Sequence, residues 1–270
     1  IIQLSNGGAQ FFAGQGMADG DAAKVIGAVS AAQHVHLLAE YYGICVVLHT
    51  DHANRKLLPW VDGLIKEGQK YYEINGKPLY KYLLDKLKKC NFDEVYVDSD
   101  STEIKRYCQK KGYKFIKRLP KLALNSANGN DLLNYHSKII DSDLYFQLFV
   151  TSPLLKVKTI NACIKFMKQN RNYDSILTSK SVHTWFWFNK KPLNYNPKIL
   201  PRSQDAKPLV FETTGLYGIR KKILLKRKAR IGKKPYFFEV GDEEAIDLDN
   251  IKDFEYLEYY VKKNLHSSNS

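Results

Sequence analysis

Residues 71–80, Tyr-Tyr-Glu-Ile-Asn-Gly-Lys-Pro-Leu-Tyr, separate two stretches of unlike composition, so a single pattern of folding cannot run through the whole chain. Before them, residues 1–70 carry 5 Lys+Arg and 6 Asp+Glu; totals of 42 and 28 leave 37 and 22 for the remainder, and net charge passes from −1 to +15. Of the 16 glycines, 9 precede residue 71; of the 18 tyrosines, 16 follow it. That contrast predicts two units of separate origin, meeting in a seam.

A chain of 270 residues that is 44% hydrophobic can bury one large core or two modest ones, and 13% aromatic content argues against disorder. No apolar run approaches the roughly 18 residues that span a bilayer, and no basic segment followed by an apolar stretch opens the chain. The expectation is a cytoplasmic protein with no membrane partner. It starts at Ile1 on a strand-like run, as an interior fragment would. Cys45, Cys90, Cys108 and Cys163 form no CxxC pair, so buried, inert thiols are expected in place of a zinc knuckle or disulfide framework. The net charge of +14 is spread over lysines at 81–89, 110–121, 156–168 and 221–234 without a nucleic-acid-binding motif, which argues against nucleic acid. Solvated helix faces, or attraction of a polyanionic small substrate such as a nucleoside triphosphate, account for it equally well.

Within residues 1–70, a short strand over 1–4 leads into the glycine-rich turn Ser5-Asn6-Gly7-Gly8. Apolar residues at helical spacing predict a helix over 22–42 ending at Gly43. The run over 44–48 reads as a buried parallel strand delivering His49, Thr50, Asp51 and His52 at its C-terminal end, and 57–70 as a second amphipathic helix. This βαβα order places polar residues where barrel enzymes keep their chemistry. On spacing alone His49, Asp51 and His52 are metal ligands or a polar strand end.

The pieces QLSNGGAQFFAGQG, AAQHVHLLAEYYG and VVLHTDHANRKLLPWVDGL resemble class II, zinc-dependent fructose-bisphosphate aldolase, over about a fifth of that family's length. The resemblance implies a partial TIM-barrel fragment, with His52 at a zinc-ligand position, Asp51 at the acid/base position and Ser5 at a substrate-phosphate position. His34 and His36 are expected to pack or face solvent. One matched Zn2+ ligand falls short of the three protein ligands that a catalytic zinc needs.

Beyond the seam the order is helix 80–88, strand 94–97, helix 103–111, strand 113–116, helix 129–139 and strand 143–150. Helix 157–168 and strands 175–179, 185–188, 209–219 and 236–240 follow, then a final helix over 251–263. This alternation predicts a doubly wound α/β sheet with ligands beyond the strand C-termini. Asp247 and Asp249, two apart, face one side of an extended segment and suit a shared divalent cation; equally, Asp249 or Asn250 is the N-cap of the last helix. Trp185 and Trp187 on one strand face read as core or interface more readily than as a ligand platform.

The pieces NGKPLYKYLLDKL, VYVDSDSTEI, KRLPKLAL, FVTSPLL, PRSQD, ETTGLYGI and EEAIDLDNIKDFEYLE together resemble the N-acylneuraminate cytidylyltransferase family, from residue 75 to residue 258. The resemblance implies transfer of CMP from CTP to a 3-deoxy-2-keto, sialic-acid-like sugar acid, which needs positioning and charge neutralisation. It puts Asp247 and Asp249 at the catalytic Mg2+ pair, Ser99, Asp100, Arg118, Thr151 and Ser152 on the nucleotide side, and Arg202 with Gln204 on the sugar-acid side. A homodimer is also among the expectations. Asp98 stands where that family often has Ser.

The family opens with a strand and a phosphate-cradling loop just before NGKPL, and here aldolase-like sequence occupies that place. Residues 71–270 are therefore expected to form a nucleotidyltransferase-like domain lacking its first strand, with CMP transfer impaired. The run 44–48 is expected to fill the vacancy, pairing between the strands at 94–97 and 143–150. The rival readings are an aldolase-derived zinc lyase fragment and a non-catalytic binding protein.

Overall fold

The computed structural model describes residues 2–14, 16–44, 46, 48–50, 55–70, 73–74, 76–124, 126–249 and 251–267. The chain divides into two units, Ile1–Pro78 and Leu79–Ser270.

In the first unit, β1 (Ile2–Leu4) and β2 (Leu48–Thr50) lie parallel, with Ile2 opposite Leu48. Between them come α1 (Asn6–Phe12) and α2 (Gly20–Tyr42), and α3 (Leu58–Lys70) follows. Ser5-Asn6-Gly7-Gly8 is not the expected turn: Ser5 Oγ accepts from Gly8 N at 3.0 Å and caps α1, offsetting one of the helix's unpaired donors. Gly27 lets α1 and α2 touch, since a Cβ there would lie 1.8 Å from the Ala9 carbonyl oxygen. Trp60 packs with Ala9 and Ala28 and donates Nε1 to the Lys24 carbonyl at 3.0 Å. Around α2, Ile26, Leu37, Leu38, Tyr41 and Tyr42 remain exposed. A helix apolar on every side is built for burial on every side. A two-residue antiparallel ladder, β3 (Glu73–Ile74) with β4 (Lys77–Pro78), ends the unit, with Gly76 at φ +66° between them.

The second unit alternates: α4 (Leu79–Leu87), β5 (Tyr96–Ser99), α5 (Thr102–Lys111), β6 (Lys114–Lys117), α6 (Gly129–Ile139), β7 (Leu144–Leu148), α7 (Val157–Gln169) and β8 (Ser175–Val182). A small hairpin, β9 (Trp187–Phe188) with β10 (Lys191–Pro192), precedes β11 (Leu209–Arg220), α8 (Lys221–Arg227), β12 (Pro235–Glu239) and α9 (Ile251–Ser267). One sheet has the order β12-β8-β11-β7, with β12 parallel to β8 and β11 antiparallel to both neighbours. A second holds β5 parallel to β6. Period-two alternation along β7 sets the layers: Leu144, Phe146 and Leu148 pack with residues of α4 and α7, whereas Tyr145 packs with Leu133 of α6 and Leu224 of α8. The aromatic strand expected over 185–188 shrinks to β9, and Trp185 and Trp187 are exposed instead of core. Cys108 and Cys163 are buried, and burial, reinforced by nearby Glu244, pushes the Cys163 thiol up to about 12. Cys45 lies outside the described residues. No helix among the described residues is long and apolar enough to cross a membrane.

Among its described residues, the run 44–48 supplies no strand to the second unit's sheet. Its strand lies at Leu48–Thr50 with β1 as partner, while Cys45 and Val47 fall outside the described residues. One edge each of β5 and β7 consequently carries no strand among the described residues. Between these edges lies a cavity of about 1530 Å3, lined by every residue of 91–99 and every residue of 140–150. A hollow over a sheet face would be lined by alternate residues; lining by consecutive ones means that it follows the strand edges. Leu83, Leu84 and Ile164 wall it on one side, and Leu132, Leu133 and Ile140 on the other.

Two side-chain contacts hold the flanks of this gap. The Phe92 and Phe146 rings meet at 5.6 Å. At β5, the Asp98 carboxylate, 9% exposed, takes Arg118 Nε at 2.7 Å on one oxygen and His136 Nε2 of α6 on the other. Burial alone would raise its pKa; the bonds from His136 and Arg118 outweigh that and hold it below the ordinary carboxylate value. A lowered folded-state pKa stabilises the fold above the unfolded value of about 3.9, and this is lost as pH falls through the lower folded value. Asp98→Ala is expected to cost about 1.5–3 kcal/mol at neutral pH in urea unfolding. The difference from wild type should shrink under acid; a pH-independent difference would contradict the assignment.

Candidate functional site

Beyond the C-terminal end of β7 the chain turns sharply, with Ser152 N donating to the Phe149 carbonyl at 3.2 Å. Lys86 Nζ of α4 fixes this turn from behind by donating to the carbonyls of Pro153 at 2.5 Å and Leu155 at 3.2 Å. Ser152 is fully buried, and its hydroxyl donates to Asp247 Oδ1 at 3.4 Å. The Leu248 amide donates to the Thr151 carbonyl at 3.0 Å, so the segment carrying Asp247 is tied to the β7 turn through backbone as well.

The other Asp247 oxygen, Oδ2, is met by Thr214 Oγ1 from β11. Thr214 occupies an irregularity in that strand, where pairing with β8 shifts between Glu212 and Tyr217. Its φ is +56°, a left-handed conformation that a β-branched side chain adopts only at a cost. The Thr213 carbonyl lies 2.8 Å from the same hydroxyl, whose single proton serves one acceptor at a time. The neighbouring Thr213 hydroxyl is buried and has no hydrogen-bond partner among the described residues.

The approach to Asp247 is anchored residue by residue. Val240 N donates to the Ser179 carbonyl at 3.0 Å, Asp242 pairs with Lys180 of β8, and buried Glu244 accepts from Lys156 N at 2.7 Å. That last bond satisfies a free amide at the start of α7 with an anion, where the helix dipole favours one. Asp249 stands further out, exposed, and its amide donates to Asp253 Oδ2 at 2.9 Å. The opening of α9 is therefore served by Asp253, and the Asp249 carboxylate has no described partner; Asn250 lies outside the described residues.

At the end of β5, Ser99 Oγ accepts from Ser101 N at 3.1 Å, and Ser101 in turn caps α5 by accepting from Ile104 N at 3.3 Å. Arg118 N donates to the Ser99 carbonyl at 3.0 Å, while its guanidinium is committed to Asp98; Asp100 is exposed. Gln204 lies in the single turn Ser203–Asp205, and Arg202 is the residue just before it. Arg202, 74% exposed, grips Asp205 through two bonds of 2.6 and 3.2 Å. No described contact joins them to Asp247. The structure thus brings together Thr151, Ser152 and Asp247, adds Thr214 and Glu244, and links Ser99 to Arg118.

One carboxylate flanked by two hydroxyls is an all-oxygen set, suited to Mg2+, which commonly takes one or two carboxylates and completes its shell with water and phosphate. It does not suit zinc, which prefers nitrogen and sulfur. Among the described residues no group of three or more His, Cys, Asp or Glu could hold a metal. In the first unit, Ser5 is the cap of α1, and His34 and His36 are exposed on α2. Asp51 and His52 lie outside the described residues.

Residues 67–266 match a family model described as cytidylyltransferase. A stretch of 81 residues is 53% identical to fructose-bisphosphate aldolase of Edwardsiella ictaluri (strain 93-146), covering 30% of this chain and 23% of the aldolase. The chain therefore spans under a quarter of the length of such curated relatives. Among solved structures, CMP:2-keto-3-deoxy-manno-octonic acid synthetase complexed with CTP is 14% identical, with 73% of this chain and 92% of that one covered and a TM-score of 0.54. A 4-diphosphocytidyl-2C-methyl-D-erythritol synthase from Anaerococcus prevotii DSM 20548 is 12% identical with the same two coverages and a TM-score of 0.55. At such identities the likeness is one of fold, and that fold is nucleotidyltransferase-like α/β. The chain is thus composite, sharing a short stretch with class 2 fructose-bisphosphate aldolases, and through residues 67–266 it belongs to the cytidylyltransferase family.

Proposed function

We propose that residues 71–270 form a CTP-binding cytidylyltransferase body whose reaction is CMP transfer to a 3-deoxy-2-keto sugar acid, impaired in this chain. The observation that carries the reading is the Asp247 carboxylate, held by hydroxyls from the turn beyond the C-terminal end of β7 and from the middle of the antiparallel β11 beside it. Doubly wound sheets take their ligands beyond such strand ends. Asp247 and Asp249 would hold Mg2+, which when bound would neutralise phosphate charge. Ser152 and Thr214 aim the Asp247 oxygens. Thr151, Ser99 and Asp100 flank the crevice as polar groups for the nucleotide, and Arg118 contributes its charge from beside Asp98. Arg202, whose planar fork suits a carboxylate, would exchange Asp205 for the sugar acid, with Gln204 beside it.

Impairment follows from the gap beside β5 and β7, because a crevice bordered by two unpaired strand edges lacks the backbone donors that a strand and loop between them would bring to a triphosphate. The first unit reads as a remnant of a TIM barrel, in which Ser5 serves as the cap of α1 and one matched zinc position falls short of three, so neither aldol cleavage nor zinc chemistry is assigned to it. Cytoplasmic location is part of the same reading.

In calorimetry with Mg2+ present, CTP is expected to bind more weakly than a Kd of about 1 μM. Asp247→Ala should weaken the Mg2+-dependent part at least about tenfold. Micromolar binding in wild type would remove the impairment, and an unaffected variant would remove Asp247 from the site. Metal analysis of the purified chain should show no stoichiometric zinc. One zinc per chain that disappears in His52→Ala would revive the aldolase alternative.

A further inference from the structure

We propose that the gap between β5 and β7 is a receptor for one β-strand, supplied by a separate polypeptide as an extended apolar run of about five residues. The two edges facing the cavity set its length, since β5 and β7 have four and five residues, and five extended residues reach roughly 17 Å.

Backbone direction identifies what the edge offers. The carbonyls of Val95 and Ser99 accept from Lys114 N and Arg118 N, so both face β6. Successive residues of a strand point to opposite edges, so the amides and carbonyls of Tyr96 and Asp98 face the gap. One of them is already answered by a side chain: Arg118 Nη2 donates to the Asp98 carbonyl at 3.1 Å, where a neighbouring strand would place an amide. The guanidinium closes one end of the slot and leaves the edge at Tyr96 open.

The walls define the occupant's character. Leucine and isoleucine side chains of α4 and α7 cover one side and those of α6 the other, so an inserted strand is buried on both faces. Strands in that position are apolar at every residue instead of at alternate ones. Charge agrees, because the five carboxylates and six Lys or Arg residues lining the cavity nearly balance, with Lys168 on Asp93, Lys221 on Asp141 and Arg118 on Asp98. The complement of such a slot is neutral. This chain supplies no spare strand among its described residues, since each strand outside the two edges is already engaged, β2 with β1, β3 with β4 and β9 with β10. A strand so inserted would join the β5-β6 pair to the four-stranded sheet through a ladder along β7 and a shorter one at Tyr96 of β5. The inference stands on the geometry of the gap and does not require that the chain transfer CMP.

The test uses the full chain and a synthetic peptide, Val-Ile-Ala-Val-Ile flanked by lysines. Amide hydrogen exchange is read by mass spectrometry over residues 95–99 and 144–149. With peptide in excess, exchange in both segments should slow by at least about tenfold, with one peptide bound per chain. The same peptide N-methylated at alternate residues, which cannot donate along one edge, should protect neither segment. Unchanged exchange at millimolar peptide would overturn the proposal. So would protection of both segments without peptide: independence of chain concentration would mean edges already paired, and dependence on it would mean that a second copy is the occupant. CTP calorimetry on the same sample separates the two readings, since strand capture without CTP binding would sink only the catalytic one.

Discussion

A β-sheet is satisfied everywhere except at its rims, and the second unit has four rims where a continuous sheet of its six long strands would have two. Among the described residues, no backbone ladder joins the β5-β6 pair to the remaining strands. Phe92 against Phe146 and His136 against Asp98 span the interruption, and the helices on both faces supply the rest of the packing. Leaving a buried backbone hydrogen bond unmade costs about 1–3 kcal/mol, so a dry gap would be hard to sustain. A cavity of this size admits water to the edges, while Leu83 and Ile164 behind it are already buried among their own neighbours.

Much of this architecture was legible in the sequence. Helices with an apolar stripe, such as α6 and α7, begin at 129 and 157 as their spacing predicts, because amphipathic periodicity is the direct trace of one buried face. What escaped depended on neighbours. Ser5-Asn6-Gly7-Gly8 carries turn residues, yet a serine ahead of a helix is also a cap, and composition does not separate the two. The tryptophan run reads as core or interface, and of these the core is excluded: Trp187 lies on the hairpin and Trp185 just before it, both exposed. The run 44–48 is apolar enough for a strand, yet pairing is decided by tertiary contact: the strand that takes β1 as partner is Leu48–Thr50.

The site was legible in proportion to how locally each role is determined. Asp247 shows itself by a spacing of two from Asp249 just before a helix. Thr214 does not, because its hydroxyl reaches Asp247 only through the shift in β11 and a left-handed φ that no propensity would assign to threonine. The doubled threonine before Gly215 was the only trace. His136 and Glu244 were likewise invisible, since each acts across a long sequence interval, on Asp98 and on the amide of Lys156. Arg118 was read as a nucleotide contact, and the structure shows it first as the partner of Asp98.

Identity and completeness are separate quantities, and they pull apart in this chain. The aldolase-like stretch of about 80 residues is about half identical to relatives of which it spans under a quarter, whereas the synthase-like body keeps about one residue in eight and spans 92% of two solved chains it resembles. The likeness of fold follows the second quantity, whereas a catalytic zinc depends on three protein ligands held together. The fragment keeps α2 with Leu37, Tyr41 and Tyr42 facing outward, side chains suited to contacts that its own unit does not supply. A strand-end crevice is more forgiving, because its groups are brought together by the layers of the sheet. Ser152, Thr214 and Asp247 meet although they come from three separated segments, since β7, β11 and the turn before α9 are each anchored independently.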